Sequence, residues 1–172
     1  NWETMVLPYP RYSYLLSKRG KNVSPDEIGK IYKKFSEEEI RDLQVWFNLT
    51  WIDRDFFEIF PDLNGIIEKG ENFTEGEKNY VLETHLKILQ MIIPEYKKAW
   101  EENRIEITTT PFYHPILPLI YNTDVAKECM PKLELDFNFS HPEDAEAQIK
   151  KSCDYFKQKF DKTPAGIWPS EG

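Results

Sequence analysis

The stretch Ile105-Glu106-Ile107-Thr108-Thr109-Thr110-Pro111-Phe112-Tyr113-His114-Pro115 decides the expected fold of this chain. Residues 105–110 are rich in β-branched side chains and are bounded by a proline, and this short pattern predicts a strand. A second short strand is predicted at residues 165–168, with the sequence Ala-Gly-Ile-Trp. Helical sequence and long connections separate the two, which indicates parallel strands and an α/β fold.

Most of the remaining chain predicts helices. Capping boxes, in which a Ser or Thr is followed three residues later by a Glu, begin at Ser24, Ser36 and Thr74. The predicted helices cover residues 25–35, 37–51, 62–68, 74–101, 123–130 and 142–160. Pro94 is expected to kink the longest helix or divide it in two. Residues 1–23 are rich in Pro and Tyr and predict an irregular lead-in with a short helical turn.

Composition limits the classes of function. The chain has 172 residues and is acidic, with 22 Lys and Arg against 30 Asp and Glu. We expect no nucleic-acid partner, because nucleic-acid binding depends on cationic side chains that neutralise phosphates. No apolar run approaches the roughly 18 residues of a membrane span. No signal-peptide pattern begins the sequence. This favours a cytoplasmic protein with free thiols at Cys129 and Cys153, although a disulfide between them is possible.

Reactive side chains follow the first predicted strand. His114 lies between an aromatic residue and a proline, in a segment whose three prolines, Pro111, Pro115 and Pro118, restrict the backbone. A loop this rigid can hold an imidazole in one orientation, and barrel active sites lie at the carboxyl ends of strands. The spacing is equally compatible with a purely structural, hydrogen-bonding role for His114.

The second predicted strand leads into Trp168-Pro169-Ser170-Glu171-Gly172. A carboxylate beside an indole is typical of a sugar site, because the indole covers the apolar face of a pyranose and the carboxylate attacks or stabilises an oxocarbenium ion. The alternative for Glu171 is a solvated surface carboxylate. Glu106 is a third candidate, because strand alternation separates it from Ile105 and Ile107 and turns it either to a barrel interior or to solvent.

The other candidate sites are open to plainer interpretations. Trp46 could line a carbohydrate groove, but the pattern favours a core aromatic of a buried helix. His114, His141 and Glu171 could form a metal triad, but their spacing matches no ligand motif. The seven glycines are scattered and form no phosphate-binding loop. We therefore expect neither a metal nor another cofactor.

Two blocks together resemble glycoside hydrolase family 57, the group of α-amylases, amylopullulanases and 4-α-glucanotransferases. Residues 105–119 resemble the second conserved region of that family. Residues 166–172, Gly-Ile-Trp-Pro-Ser-Glu-Gly, resemble the third, whose Glu is the catalytic nucleophile. The resemblance extends over most of the chain, from Pro10-Arg11-Tyr12 through Asp42-Leu43-Gln44-Val45-Trp46-Phe47-Asn48-Leu49 to the end.

The resemblance implies part of an incomplete (β/α)7 TIM-like barrel with inserted helices. It also implies a retaining mechanism on α-linked glucans such as starch, glycogen or maltooligosaccharides. In this family Glu171 would be the nucleophile, and His114 would contact the sugar at the cleavage site with Trp168 nearby. We add Glu106 and Trp46 as candidate substrate contacts.

The departures from the family pattern limit the expected activity. No His precedes His85, so the opening His-Gln-Pro region is absent, and the acid/base Asp lies in a later region. Because a complete eight-stranded barrel needs roughly 250 residues, residues 1–172 are expected to be an internal or truncated fragment of one catalytic domain, inactive alone and without a second domain. The alternatives are a non-catalytic carbohydrate-binding or regulatory module and a deacetylase-like barrel that uses a metal.

Overall fold

The computed structural model describes residues 2–20 and 23–170, which form helices, connecting segments and an isolated parallel β-bridge. The α-helices of the described residues are α1 (Trp2–Met5), α2 (Pro10–Arg19), α3 (Pro25–Ile31), α4 (Glu37–Leu49), α5 (Phe56–Ile59), α6 (Asp62–Lys69), α7 (Glu75–Glu101), α8 (Leu117–Tyr121), α9 (Ala126–Cys129) and α10 (Pro142–Phe160). Single 3₁₀ turns follow α3 at Tyr32–Lys34 and precede α9 at Thr123–Val125. The chain divides into two compact units, Asn1–Gln90 (unit 1) and Met91–Gly172 (unit 2).

The expected α/β fold, with part of a (β/α)7 TIM-like barrel, is wrong for the described residues. They are 64% helical and contain no strand, so they form neither a sheet nor a barrel. Within the described residues, the segments predicted as strands meet only in an isolated bridge between Thr109 and Ile167. Pro111 has no N–H with which to continue the pairing. In a barrel each strand pairs with a neighbour along both of its edges, whereas this bridge pairs each segment along one edge at a single position.

The capping boxes determine where three helices begin. Glu39 Oε2 accepts the Ser36 N–H at 2.9 Å, and Ser36 Oγ accepts the Glu39 N–H at 3.2 Å. Thr74 and Glu77 repeat this reciprocal arrangement at the start of α7. The predicted helix starts are confirmed, and α7 continues through Pro94 without division.

The lead-in predicted for residues 1–23 is wrong over much of its length, because α2 occupies ten of those residues. Pro10 stands at the first turn of α2, where a missing N–H costs no hydrogen bond. Tyr12 and Leu15 are buried, so tertiary packing stabilises a helix that has no side-chain cap. Lys21, Asn22, Glu171 and Gly172 lie outside the described residues.

The core of unit 1 surrounds Trp46. Buried side chains of several helices pack in one cluster with it, among them Val45, Leu49, Leu63, Phe73 and Val81. Trp46 is 2% exposed, and its Nε1–H donates to the Gly70 carbonyl oxygen at 2.9 Å. Gly70 ends α6 with a φ of 76°, a left-handed conformation that favours glycine.

Unit 2 has a smaller core on α10. Phe156 is buried, with its ring 4.6 Å from that of Phe160 and 5.8 Å from that of Trp100. Ala145 and Ser152 are buried on the same helix, which also packs against α8. In the described ranges 2–20 and 23–170, no helix has the length and apolar character needed to cross a lipid bilayer.

The capping-box glutamates of unit 1 have lowered pKa values. The Lys18 ammonium, 2.6 Å from Oε2, and the N–H of Ser36 hold the pKa of the Glu39 carboxyl below its ordinary value of 4.5. Hydrogen bonds from the N–H and the hydroxyl of Ser24 lower the pKa of Glu27 in the same way. The ionised form of both glutamates is therefore more strongly favoured in the folded chain than in the unfolded one.

We expect the melting temperature of the chain to fall as pH drops from about 5 to about 3. A carboxyl whose folded pKa is depressed stabilises the fold above its unfolded pKa, and this stabilisation is lost as pH falls through the folded pKa. Circular dichroism melts across this range measure the effect. Glu39→Gln should melt with a weaker pH dependence, whereas exposed Glu58→Gln should behave like wild type. Identical pH profiles for Glu39→Gln and wild type would contradict the prediction.

Candidate functional site

The parallel bridge brings the two candidate blocks to one place. The Thr109 N–H donates to the Gly166 carbonyl oxygen at 3.0 Å, and the Trp168 N–H donates to the Thr109 carbonyl oxygen at 2.7 Å. Because the paired segments are parallel, the chain leaves both of them at the same end. The His114 loop, residues 110–116, and the segment that leads to residue 171 therefore start side by side.

The backbone of the His114 loop is tightly turned. The His114 N–H donates to the Pro111 carbonyl oxygen at 2.8 Å, and His114 has a φ of 55°. A left-handed conformation costs a residue with a side chain about 1–2 kcal/mol, so it persists only where its surroundings impose it. The imidazole itself is exposed. The loop therefore presents His114 at the surface from a constrained backbone.

Helix α10 supplies much of this constraint. Gln148 Oε1 accepts the Tyr113 N–H at 2.9 Å, and the Gln148 carbonyl oxygen accepts the Phe112 N–H at 3.3 Å. One turn further along, Ser152 Oγ donates to the Thr110 carbonyl oxygen at 2.6 Å. These contacts anchor three successive parts of the loop to one helix face.

Sequence reasoning missed both anchors. Gln148 and Ser152 are four residues apart, so they lie on one face of α10. Ser152 is buried, and so is Phe156, which follows it by four residues on the same face. A serine on the apolar face of a helix needs a hydrogen-bond partner, and this was the available signal. The sequence does not indicate which loop provides that partner.

Aromatic side chains stand out from this end of unit 2. Tyr113 is 68% exposed and Trp168 is 70% exposed. Lys151 Nζ donates to the Tyr113 hydroxyl at 2.8 Å and lies 4.5 Å from the ring centroids of Phe112 and Tyr113. The exposed indole of Trp168, and the part of the Tyr113 ring that Lys151 does not cover, are available to a ligand with an apolar face, such as a pyranose.

The remaining predicted site residues are placed differently. Glu106 is exposed and lies before the bridge, whereas His114 and Trp168 follow it. Trp46 belongs to the core of unit 1. Glu171, the predicted nucleophile, lies outside the described residues. Ser170 just before it is buried, and within the described ranges its Oγ has no hydrogen-bond partner.

A metal centre is the alternative chemistry that the sequence allows at this site. In the part of the chain that the structure describes, no group of three or more His, Cys, Asp and Glu side chains could hold a metal ion. His141 Nδ1 lies 2.7 Å from Glu143 Oε1, and this hydrogen bond lowers the pKa of the Glu143 carboxyl. Cys129 and Cys153 are both free thiols.

Comparison with known proteins adds one finding to this geometry. The family model described as glycosyl hydrolase family 57 matches residues 12–172, a span that includes the His114 loop, Trp168 and Glu171. No curated protein and no solved structure matches the chain. Because the match covers nearly the whole sequence, the chain belongs to glycosyl hydrolase family 57.

Proposed function

We propose that this chain carries the nucleophile of a retaining glycosidase or transglycosylase, and that the nucleophile is the Glu171 carboxylate. Membership of family 57 implies the coarser function, a retaining glycoside hydrolase or transglycosylase that acts on α-glucans. The finer assignment is supported by the parallel pairing, from which the His114 loop and the segment before Glu171 leave at the same end. It is also supported by the exposed indole of Trp168, three residues earlier.

In the proposed reaction, a carboxylate oxygen of Glu171 attacks the anomeric carbon of a glucosyl unit. The bond between that carbon and the glycosidic oxygen breaks, and a general acid protonates the departing oxygen. Water, or a hydroxyl of a second sugar, then attacks the glycosyl-enzyme and gives its proton to the same group acting as base. Two inversions at the anomeric carbon leave an α-configured product.

The retaining mechanism requires a second carboxylate about 5–5.5 Å from the nucleophile. The resemblance to the family assigns that role to an Asp in a later conserved region. We therefore propose that residues 1–172 are inactive by themselves as part of one catalytic domain. Activity is to be measured in the natural full-length protein that contains this chain.

The exposed side chains next to the bridge have proposed binding roles. Trp168 would cover the apolar face of a glucosyl unit, and His114 would hydrogen-bond the sugar at the cleavage site. Glu106 and Trp46 stay predictions as substrate contacts. Trp46 would have to act through its edge, because its ring is almost fully buried.

A binding or regulatory module without catalysis is the second candidate function. One observation favours it, since the exposed rings of Tyr113 and Trp168 suit glucan binding without any chemistry. Activity on maltooligosaccharides that disappears in Glu171→Gln supports the enzyme. Glucan binding with no activity in the full-length wild type supports the module, and equal activity of wild type and Glu171→Gln overturns the assignment of the nucleophile.

Removing the Gln148 anchor is expected to weaken catalysis without unfolding the protein. Gln148→Ala removes the acceptor of the Tyr113 N–H, so we expect kcat/KM on maltooligosaccharides to fall by about ten- to a hundredfold, the cost of an ångström-scale misplacement. Gln148→Glu retains an acceptor oxygen and should recover most of the loss. Exposed Gln158→Ala on the same helix is the matched control. Unchanged kcat/KM in Gln148→Ala would show that the loop does not need the Gln148 side chain.

A further inference from the structure

A cleft of unit 1 has the features of a ligand site, and Glu171, His114 and Trp168 are not among the residues that line it. It lies between the segment Pro8–Arg11, where α2 begins, and residues 67–71 at the end of α6, and its volume is about 730 Å³. Binding sites for small molecules have volumes of roughly 300–1,000 Å³. Tyr9, Tyr14 and Trp46 line it together with charged residues.

The aromatic side of the cleft is held in place. The Tyr9 ring lies 4.5 Å from the buried Trp46 ring, and the Tyr9 hydroxyl accepts a hydrogen bond from Arg54 at 2.6 Å. Tyr14 is 50% exposed and projects from α2 into the same cleft. Because the Tyr9 ring is already ordered by these contacts, a ligand that packs against it avoids much of the entropy cost of fixing a free side chain. A flat apolar surface of this kind suits the face of a sugar ring.

The polar side of the cleft offers hydrogen-bond acceptors. Glu68 is exposed, and the Glu71 side chain is 55% exposed. Glu71 lies 3.6 Å from Arg11 Nε, which is beyond direct hydrogen-bond distance. An ionised carboxylate accepts bonds at about four lone-pair positions, so Glu71 retains acceptors for hydroxyl groups.

The cations of the cleft are engaged elsewhere, which argues against an anionic ligand. Arg11 Nε donates to the fully buried Asp42 carboxylate at 2.9 Å, and Arg11 Nη2 forms an ion pair with the same carboxylate at 2.8 Å. Lys69 Nζ donates to both carboxylate oxygens of Glu77, at 2.9 and 2.6 Å. A phosphate or carboxylate would find these charges already neutralised, and it would meet the exposed carboxylates of Glu68 and Glu71. The chemistry fits a neutral ligand that is rich in hydroxyl groups.

We propose that this cleft binds glucosyl units of an α-glucan, with Tyr14 against a sugar face and Glu71 as a hydroxyl acceptor. The identity of the sugar rests on the proposed function, since α-glucans are the substrates that family 57 implies. The site itself rests on the arrangement of unit 1 alone. It gives the protein a glucan contact made of residues other than Glu171, His114 and Trp168.

The test uses the full-length Glu171→Gln protein labelled with fluorotryptophan, so that bound glucan is not turned over. The ¹⁹F resonance of Trp46, assigned by its disappearance in Trp46→Phe, is followed during titration with maltoheptaose. We expect this resonance to shift, and Tyr14→Ala and Glu71→Gln each to weaken the apparent affinity about tenfold, or about 1.4 kcal/mol. Tyr32→Ala, at another exposed tyrosine of unit 1 that does not line the cleft, should leave the affinity unchanged.

Several outcomes would overturn the proposal. The Trp46 resonance could stay unmoved at millimolar maltoheptaose, Tyr14→Ala could bind like Tyr32→Ala, or inorganic phosphate could shift the resonance as strongly as the sugar. Melting curves establish that Tyr14→Ala and Glu71→Gln remain folded. Failure of the proposed function is distinguishable, because it appears as activity of Glu171→Gln, whereas the cleft is read from binding at Trp46.

Discussion

Glu171→Gln is expected to reduce kcat on maltooligosaccharides at least about a thousandfold in the full-length protein, equivalent to about 4 kcal/mol of lost transition-state stabilisation. An amide has nearly the shape of a carboxylate, but it lacks the charge that attacks the anomeric carbon and stabilises the oxocarbenium ion. Product formation from maltoheptaose, with the anomeric configuration followed by proton NMR, measures both rate and stereochemistry. Wild type should release α-configured products first.

The matched control is Glu134→Gln, which neutralises an exposed glutamate of unit 2 and should leave kcat unchanged. A second variant separates loss of the nucleophile from loss of the fold. In Glu171→Ala, added azide can enter the vacated space and attack an activated α-glucosyl donor, so activity should return with a β-configured glucosyl azide as product. A Glu171→Gln enzyme with wild-type kcat would refute the assignment of the nucleophile.

The largest effect on stability is expected from Asp42→Asn. The buried Asp42 carboxylate accepts a hydrogen bond from Arg11 Nε and forms an ion pair with Arg11 Nη2. It also accepts the N–H groups of Asn72 at 3.1 Å and Phe73 at 2.9 Å. An amide presents its own N–H₂ group to donors and leaves Arg11 with only the exposed Glu71 carboxylate, 3.6 Å from Nε, as a counter-charge. Breaking one partner of a buried pair costs about 3–5 kcal/mol, a large part of the roughly 5–15 kcal/mol that stabilises a typical protein.

Urea denaturation followed by circular dichroism measures this loss as a lowered free energy of unfolding. Asp55→Asn is the control, since Asp55 is exposed in the same unit and such changes usually stay within about 0.5 kcal/mol. Replacing both partners, as Arg11→Met with Asp42→Leu, should recover only part of the stability, because no unpaired charge is then buried but the N–H groups of Asn72 and Phe73 lose their acceptor. A loss below about 1 kcal/mol in Asp42→Asn would contradict the burial and pairing of this carboxylate.

Prediction from sequence succeeded where the signal is local. Capping boxes at Ser36 and Thr74 depend on residues three positions apart, and the structure confirms both helix starts. Prediction failed for α2, whose stability comes from burial of Tyr12 and Leu15 rather than from a cap. It failed for the barrel as well, because a β-branched run such as residues 105–110 favours an extended backbone but does not determine how many neighbours pair with it.

For the candidate site, the sequence was enough to indicate the family, which the family match confirms. His114, Trp168 and Glu171 were predicted as site residues from their spacing and from the resemblance, and their roles stay predictions. Tertiary packing was needed to show that a parallel bridge starts both blocks from the same end, and that Gln148 and Ser152 hold the His114 loop. Local patterns act within about one helical turn. Contacts between residues some forty positions apart depend on packing, which no local pattern specifies.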